Sequence, residues 1–175
     1  MNVGPITFHE LYIRYAEDVY RFAHWLSGNP EVARDITSET FVRAMTAPEE
    51  PRMETVKAYL FAIARNLYRK QWRRDSRKEI LDETMADQTP TPDQAMVRNE
   101  EYARTIEAMN ALPEIDRTVL LMRAEEDLSY QDIAAATGLS IAAVKVKVFR
   151  ARAKLAALLK PKLEKKYECN QRSHY

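Results

Sequence analysis

Tyr68 and Trp72 are one helical turn apart within a run of cationic residues. Two aromatic rings among cations at this spacing could bind a nucleic acid. The arginines interleaved with them are Arg65, Arg69, Arg73 and Arg74. Aromatic side chains stack on unpaired bases and guanidinium groups bind backbone phosphates, so this combination favours single-stranded nucleic acid over duplex. The alternative is that both aromatic side chains cover the protein core while the arginines face solvent.

A second nucleic-acid signal lies in residues 128–159, LSYQDIAAATGLSIAAVKVKVFRARAKLAALL. Ser129 and Asp132 have the spacing of a capping box, Gly138 suits a turn with left-handed backbone, and a further helix is expected after Ser140. This order is typical of a helix-turn-helix unit, which places its second helix in the major groove of duplex DNA. The predicted DNA contacts are Ser140, Ala142, Ala143, Lys145, Lys147, Arg150 and Arg152.

The charge of this second stretch supports that interpretation. Residues 139–163 contain seven cations and no acid, whereas a solvated helix face usually carries both signs. An ordinary helical hairpin with a basic solvated face is the alternative, and it leaves the absence of acids unexplained.

Asp35 and Glu39 share one face of a predicted helix. Paired carboxylates can hold a metal or transfer protons, but no histidine or third carboxylate is placed to complete such a site. We therefore predict no catalytic residue, no metal and no cofactor. The two acids form either a solvated face or a docking surface for a basic partner.

The composition limits the other possibilities. Cys169 is the single cysteine, which excludes an internal disulfide framework. The N-terminal sequence lacks the pattern of a signal peptide, and no apolar run approaches the ~20 residues of a membrane span. We expect a soluble cytoplasmic protein without membrane contact. Its net charge of +1 conceals two basic segments that are separated by an acidic one.

Helical periodicity, few glycines and many helix-forming residues predict an all-α fold of two small domains joined by a flexible acidic linker. A capping box at Thr7–Glu10 starts the first helix, and Pro30 follows its end. Further helices are expected over about 31–45, from 55 into the seventies, over 92–111 and over 113–126. The predicted division is a first domain over 1–78, a linker over 79–91, a second domain over 92–160 and a tail over 161–175.

The order of these features resembles the extracytoplasmic-function (group IV) sigma factors of bacterial RNA polymerase. The segments that carry the resemblance are EVARDITSETFVRAM (31–45), VKAYLFAIARNLYRKQWRRDSR (56–77), ALPEIDRTVLLMRAEEDLSYQDIAAATGLS (111–140) and AAVKVKVFRARAKLAALL (142–159). Together they lie within residues 8–160, which is nearly the whole chain. The order of the segments is far more specific than any one of them alone.

The resemblance implies a role for each segment. The first half corresponds to a sigma-two domain and the second half to a sigma-four domain, whose recognition helix reads the minus-thirty-five element. The loop from Thr46 to Thr55, with Asn66, is similar to the pocket that captures a flipped base. The residues implied in docking on core polymerase are Asp35, Glu39, Thr40 and Phe41. Those implied in binding the minus-ten element are Arg65, Asn66, Tyr68, Arg69, Trp72, Arg73 and Arg74.

The resemblance also implies an anti-sigma partner, and the sequence departs from the family at a few positions. Ser38 stands where the docking motif usually has glutamine. Ala142 and Ala143 replace a common Gly-Thr pair, and Val146 with Lys147 replaces a common Ser-Arg pair. The change at Ser38 concerns the contact with polymerase, and the changes in the recognition helix concern promoter sequence rather than the mode of binding. The competing hypothesis is a stand-alone helix-turn-helix regulator whose N-terminal half serves for dimerisation or signal reception.

Overall fold

The computed structural model describes residues 7–47, 56–81, 100–124 and 127–160, with side chains described except at 75–81 and 100–101. These ranges form seven α-helices and contain no strand, which confirms the all-α prediction. The predicted tail, nearly all of the proline-containing loop and all but the first three residues of the predicted linker lie outside them. No helix in the described ranges has the length and hydropathy needed to cross a membrane.

Three helices form the first half: α1 (Phe8–Ser27), α2 (Pro30–Thr46) and α3 (Val56–Leu81). The predicted capping box is present, since the Thr7 hydroxyl accepts from the Glu10 backbone and the Glu10 carboxylate accepts from the Thr7 backbone. Gly28 ends α1 with φ of 69°, and Asn29 caps α2. The chain therefore turns between α1 and α2 where Ser27-Gly28-Asn29-Pro30 predicts it.

Stacked aromatic rings form the centre of this half. Phe22 of α1 and Phe61 of α3 lie 4.6 Å apart between ring centroids, and both are buried. Lys57 of α3 also pairs with Asp18 of α1 at 2.9 Å. Burial raises the pKa of the Asp18 carboxyl, but the hydrogen bond and charge of Lys57 and the Arg21 guanidinium outweigh it and leave that pKa below its usual value. These contacts fix the first part of α3 against α1.

Four helices form the second half: α4 (Glu100–Asn110), α5 (Glu114–Ala124), α6 (Tyr130–Thr137) and α7 (Ile141–Leu159). Ser129 caps α6, Gly138 ends it with φ of 74°, and Ser140 caps α7. The Ser129 hydroxyl also donates to the Asp132 carboxylate at 2.7 Å. The helix-turn-helix geometry predicted from this stretch is therefore present.

The two halves pack against each other, with α1 contacting α4 and α5, and α3 contacting α6. Their buried apolar residues form one continuous cluster. Polar contacts join them as well: Arg65 of α3 pairs with Glu114 of α5, and the Tyr102 hydroxyl of α4 lies 3.1 Å from His24 Nδ1 of α1. In this conformation the halves are a single packed body. Helix α3 also runs to Leu81, three residues past the predicted boundary at 78.

Candidate nucleic-acid interface

The exposed basic surface of α3 contains most of the predicted single-strand contacts. Trp72 is 61% exposed, and Asn66, Arg73 and Arg74 are exposed while Arg69 is partly buried. A groove of about 350 Å³ runs along this surface and is lined by Asn66, Arg69, Lys70, Arg73 and Arg74. It presents guanidinium and ammonium groups to solvent beside one free indole ring. Such a surface suits a nucleic-acid backbone with unstacked bases.

Arg65 and Tyr68 lie on the side of α3 that faces the second half, and Trp72 follows on the same side one turn beyond Tyr68. The Arg65 guanidinium is 7% exposed and donates to both carboxylate oxygens of Glu114, at 2.9 and 3.2 Å. Tyr68 is partly buried, packs against the core, and accepts from Arg117 at 3.1 Å. Tyr68 therefore covers the core, whereas Trp72 is exposed and its stacking on bases stays a prediction. In this conformation Arg65 is buried, whereas Tyr68 is partly exposed and lines a cleft of about 390 Å³ together with Trp72.

Helix α7 carries the predicted duplex contacts on its outer surface. Ala142, Lys145, Arg150 and Arg152 are exposed and Ala143 is partly buried, while the Ser140 hydroxyl is committed to capping the Ala143 backbone N–H. The buried face of the helix consists of Val144, Val148 and Ala151. One side of α7 therefore faces the core, and the other remains available to a groove of DNA.

The lysines of α7 differ in their contacts. The Lys147 ammonium donates to the Asp116 carboxylate of α5 at 2.7 Å and is partly buried. Lys145 is exposed and lies 5.6 Å from the centroid of the Tyr130 ring. Since a carboxylate already neutralises Lys147, Lys145 is the more available of the two for a phosphate.

Two apolar residues on the outer side of α7 were not among the predicted DNA contacts. Phe149 is 74% exposed and Val146 is 46% exposed. They fall outside the Val144–Val148 stripe, so their helical register was a usable signal of exposure. Apolar side chains in a major groove contact the methyl group of thymine.

Of the four residues of α2 that were predicted to dock on a partner, two are exposed and two are buried. Asp35 and Glu39 are exposed, and Glu39 pairs with Arg43 at 2.7 Å. Thr40 and Phe41 were also predicted to dock on a partner, but both are fully buried. The Thr40 hydroxyl donates to the Ile36 carbonyl at 2.6 Å. We correct the role of these two residues accordingly: in this structure they hold α2 against the core and do not form its outer face.

Apolar residues extend the exposed face of α2. Val42 is seven residues after Asp35 and therefore shares its side of the helix; it is 52% exposed. Met45 and, on α1, Phe8 and Tyr12 are also exposed, and the Phe8 and Tyr12 rings stack at 5.8 Å. We call Asp35, Glu39, Val42 and Met45 the outer face of α2. It combines negative charge with apolar area.

The fold and these surfaces define a class: a two-part helical protein with a basic, aromatic helix in one part and a helix-turn-helix in the other. Comparison with known proteins agrees. Residues 11–78 match the family described as Sigma-70 region 2, and residues 102–155 match the one described as Sigma-70, region 4.

Relatives narrow the class further. The chain is 34% identical over 140 residues to the ECF RNA polymerase sigma factor EcfG of Rhodopseudomonas palustris, a match that covers 79% of this chain and 77% of that protein. It is 31% identical over 154 residues to the ECF RNA polymerase sigma factor SigE of Mycolicibacterium smegmatis, covering 85% of this chain and 60% of that protein. This chain belongs to the extracytoplasmic-function (ECF) sigma factors of the sigma-70 family.

A solved structure gives the same result for the fold. The sigma factor RpoE of Bartonella quintana, in complex with the anti-sigma factor NepR, matches with a TM-score of 0.75 and 26% identity. The match covers 89% of this chain and 98% of that one.

Proposed function

We propose that this chain binds core RNA polymerase and directs transcription initiation at specific promoters. The observation that carries the proposal is the presence, on one chain, of an exposed aromatic and basic helix and a helix-turn-helix whose outer surface is cationic. The first suits unpaired bases and the second suits a duplex groove. The groove contact would place the chain on the promoter, and the single-strand contact would hold the opened DNA.

The outer face of α2 is the proposed polymerase contact. Its carboxylates attract a basic partner, and Val42 and Met45 add apolar area next to them. Interfaces gain most from residues that become fully desolvated, so the apolar pair contributes affinity while the acids contribute orientation. Ser38 lies on the same side of the helix, where its short side chain leaves room for a contact different from that of the family.

The basic groove of α3 is the proposed minus-ten contact. Trp72 supplies an exposed ring on which an unpaired base can stack. Arg69, Arg73 and Arg74 supply positive charge for the backbone phosphates of the same strand. Unstacking a base costs a few kcal/mol per step, and stacking on an aromatic ring offsets part of that cost.

The outer surface of α7 is the proposed minus-thirty-five contact. Ser140, Ala142 and Ala143 occupy the N-terminal turn, which is the part of a recognition helix that approaches base edges. Lys145, Arg150 and Arg152 are placed along the helix for phosphates or guanine edges.

An anti-sigma factor is the proposed regulatory partner. The support is that the structurally similar RpoE of Bartonella quintana was solved with the anti-sigma factor NepR. Because transcription takes place in the cytoplasm, we place this chain there as well.

Reconstitution with purified core polymerase tests the proposal. We expect promoter-dependent transcripts from linear DNA only when this chain is added, and loss of polymerase affinity in the double variant Asp35→Ala, Glu39→Ala. Glu17→Ala, which removes an exposed acid from α1, is the control and is expected to bind like the wild type. A chain that gives no transcripts but binds duplex DNA tightly without polymerase would support the stand-alone regulator instead.

A further inference from the structure

The cleft beside Tyr68 and Trp72 has the dimensions of a small-molecule site. Its volume is about 390 Å³, and it lies between α3 and the start of α5, with the two aromatic rings on one wall and Arg117 on the other. Sites for small ligands measure about 300–1,000 Å³. The cleft falls at the lower end of that range, so it has room for one small molecule.

Cations outnumber acids around this cleft. Arg69, Arg73 and Arg117 line it together with one carboxylate, that of Glu114. Both oxygens of this carboxylate already accept hydrogen bonds from Arg65. Within the described ranges of the chain, none of the three lining arginines forms an ion pair. The cleft therefore attracts an anion.

Arg117 in particular lacks a counter-charge. It is 6% exposed, and it donates to the neutral side chains of Asn110 and Tyr68. Its Nε atom is buried and has no hydrogen-bond partner among the described residues. A buried cation held only by neutral groups has given up water without gaining an opposite charge, which costs free energy. Because both neutral partners also line the cleft, an anion bound there lies close enough to supply the missing charge.

The aromatic rings favour a ligand with a planar group. Trp72 is exposed, and Tyr68 is partly exposed with its hydroxyl fixed by Arg117. The Arg117 guanidinium also lies 5.9 Å from the centroid of the Tyr68 ring. Aromatic side chains stack on all nucleobases, because every base has a π-face. Rings next to cations thus match a molecule that carries both a base and a phosphate.

We infer that this cleft binds a free nucleoside monophosphate, with the phosphate among Arg69, Arg73 and Arg117 and the base on Trp72. A phosphate monoester carries a charge of about −1.5 to −2 at neutral pH, which the three arginines balance. The α3 residues involved are also proposed to hold the minus-ten strand, so the bound nucleotide competes with that strand. The binding itself is independent of the proposed function, whereas the competition rests on it.

Calorimetric titration of the full chain with adenosine 5′-monophosphate tests the binding. The comparison ligands are adenosine, which lacks the phosphate, and inorganic phosphate, which lacks the base. We expect the monophosphate to bind about tenfold more tightly than either one, because it alone uses both the rings and the arginines. Equal affinity for inorganic phosphate overturns the inference, since the cleft would then attract any anion.

Arg73→Gln and Trp72→Ala test the wall formed by α3, and Lys70→Gln is the matched control. Lys70 is an exposed cation of the same helix that lines the neighbouring basic groove and not this cleft. We expect affinity for the monophosphate to fall about tenfold in each of the first two variants. The control should lose less than about twofold, because a cation outside the cleft acts only through a field that salt screens. Equal losses in Arg73→Gln and Lys70→Gln overturn the assignment to the cleft.

Asn110→Asp tests the opposite wall. The Asn110 side-chain oxygen accepts from Arg117, so a carboxylate of the same shape gives Arg117 a counter-charge within the protein. Asn110 is exposed, which makes the variant compatible with the fold. We expect affinity for the monophosphate to fall about tenfold, because the phosphate then meets an acid and a neutralised arginine. Unchanged affinity overturns the role of Arg117 and with it the site.

Competition is measured by fluorescence anisotropy with a labelled single-stranded DNA oligonucleotide. With adenosine 5′-monophosphate at ten times its dissociation constant, the apparent Kd of the oligonucleotide should rise about tenfold. Inorganic phosphate at the same concentration controls for ionic strength. Binding of the monophosphate without this rise overturns the competition. If the monophosphate does not bind but transcription with core polymerase succeeds, only the inference fails; if the chain supports no transcription, the proposed function fails whether or not the nucleotide binds.

Discussion

Arg65 and Glu114 stand 49 residues apart in the chain, and their side chains form a two-point ion pair with N–O distances of 2.9 and 3.2 Å. The Arg65 side chain is 7% exposed and that of Glu114 is 28% exposed. Glu114 also accepts from the Thr118 hydroxyl at 3.0 Å, which holds its carboxylate in place. The planar fork of arginine needs both oxygens in one orientation, so this pair fixes how α3 and α5 meet.

Arg65→Lys tests the energetic weight of that geometry. An ammonium group cannot make the bidentate contact, so we expect the free energy of unfolding to fall by about 1–3 kcal/mol, as for partly buried charged hydrogen bonds. Arg43→Lys is the control, since Arg43 pairs with Glu39 on an exposed surface. This variant should lower the free energy of unfolding by less than about 0.5 kcal/mol. Urea unfolding measures both. Equal changes would mean that burial of the Arg65 pair has no energetic consequence.

Trp72→Ala tests the stacking role. Because the indole is 61% exposed, its loss should change the free energy of unfolding little. The free energy that favours promoter opening should fall by the contribution of one base stack, about 1–3 kcal/mol. A 2-aminopurine base in the minus-ten element reports opening, and a separate titration reports polymerase affinity. Trp72→Phe keeps an aromatic ring and should retain part of the 2-aminopurine fluorescence change that reports opening. Parallel loss of opening and polymerase affinity would exclude a specific stacking role.

The two lysines of α7 should contribute differently to the salt dependence of duplex binding. Lys145→Gln should reduce the slope of log affinity against log salt by about 0.9, the value for one phosphate contact. Lys147→Gln should reduce it less, because Asp116 already pairs with Lys147. Lys154→Gln serves as the control, since its ammonium donates to the Ala111 carbonyl. Identical slopes for the Lys145 and Lys147 variants would show that the Asp116 pair does not persist on DNA.

Gly28→Ala and Gly138→Ala should differ although both residues have left-handed backbone. At either position a side chain costs about 1 kcal/mol of backbone strain. A Cβ at Gly138 meets nothing within 4 Å, whereas one at Gly28 lies 3.3 Å from Asn110 Nδ2 in the second half. We therefore expect the larger loss of unfolding free energy in Gly28→Ala, measured by denaturant titration. Equal losses would indicate that Asn110 moves aside without cost.

Local features of the fold were predictable because their causes lie within a few residues. The Thr7–Glu10 capping box, the end of α1 at Gly28 and the Ser129, Gly138 and Ser140 signals of the helix-turn-helix all depend on backbone groups three or four positions away. Phe41, which the family resemblance counts among the docking residues, is fully buried in this structure. Its burial depends on the packing of α2 against other helices, which no local pattern contains.

By itself the sequence determined the all-α class and the segregation of basic residues onto α3 and α7. It also gave the boundaries of the described helices to within a few residues, except the start of α4, which was predicted at 92 and lies outside the described residues. Only the tertiary structure decided which of those residues face outward. Tyr68 and Trp72 have similar neighbours in the sequence, yet Arg117 and the core cover one and leave the other exposed. The physical reason is the distance in sequence between the interacting residues. Caps and helical periods arise from neighbouring residues, whereas burial and the Arg65–Glu114 pair require two helices distant in sequence to pack.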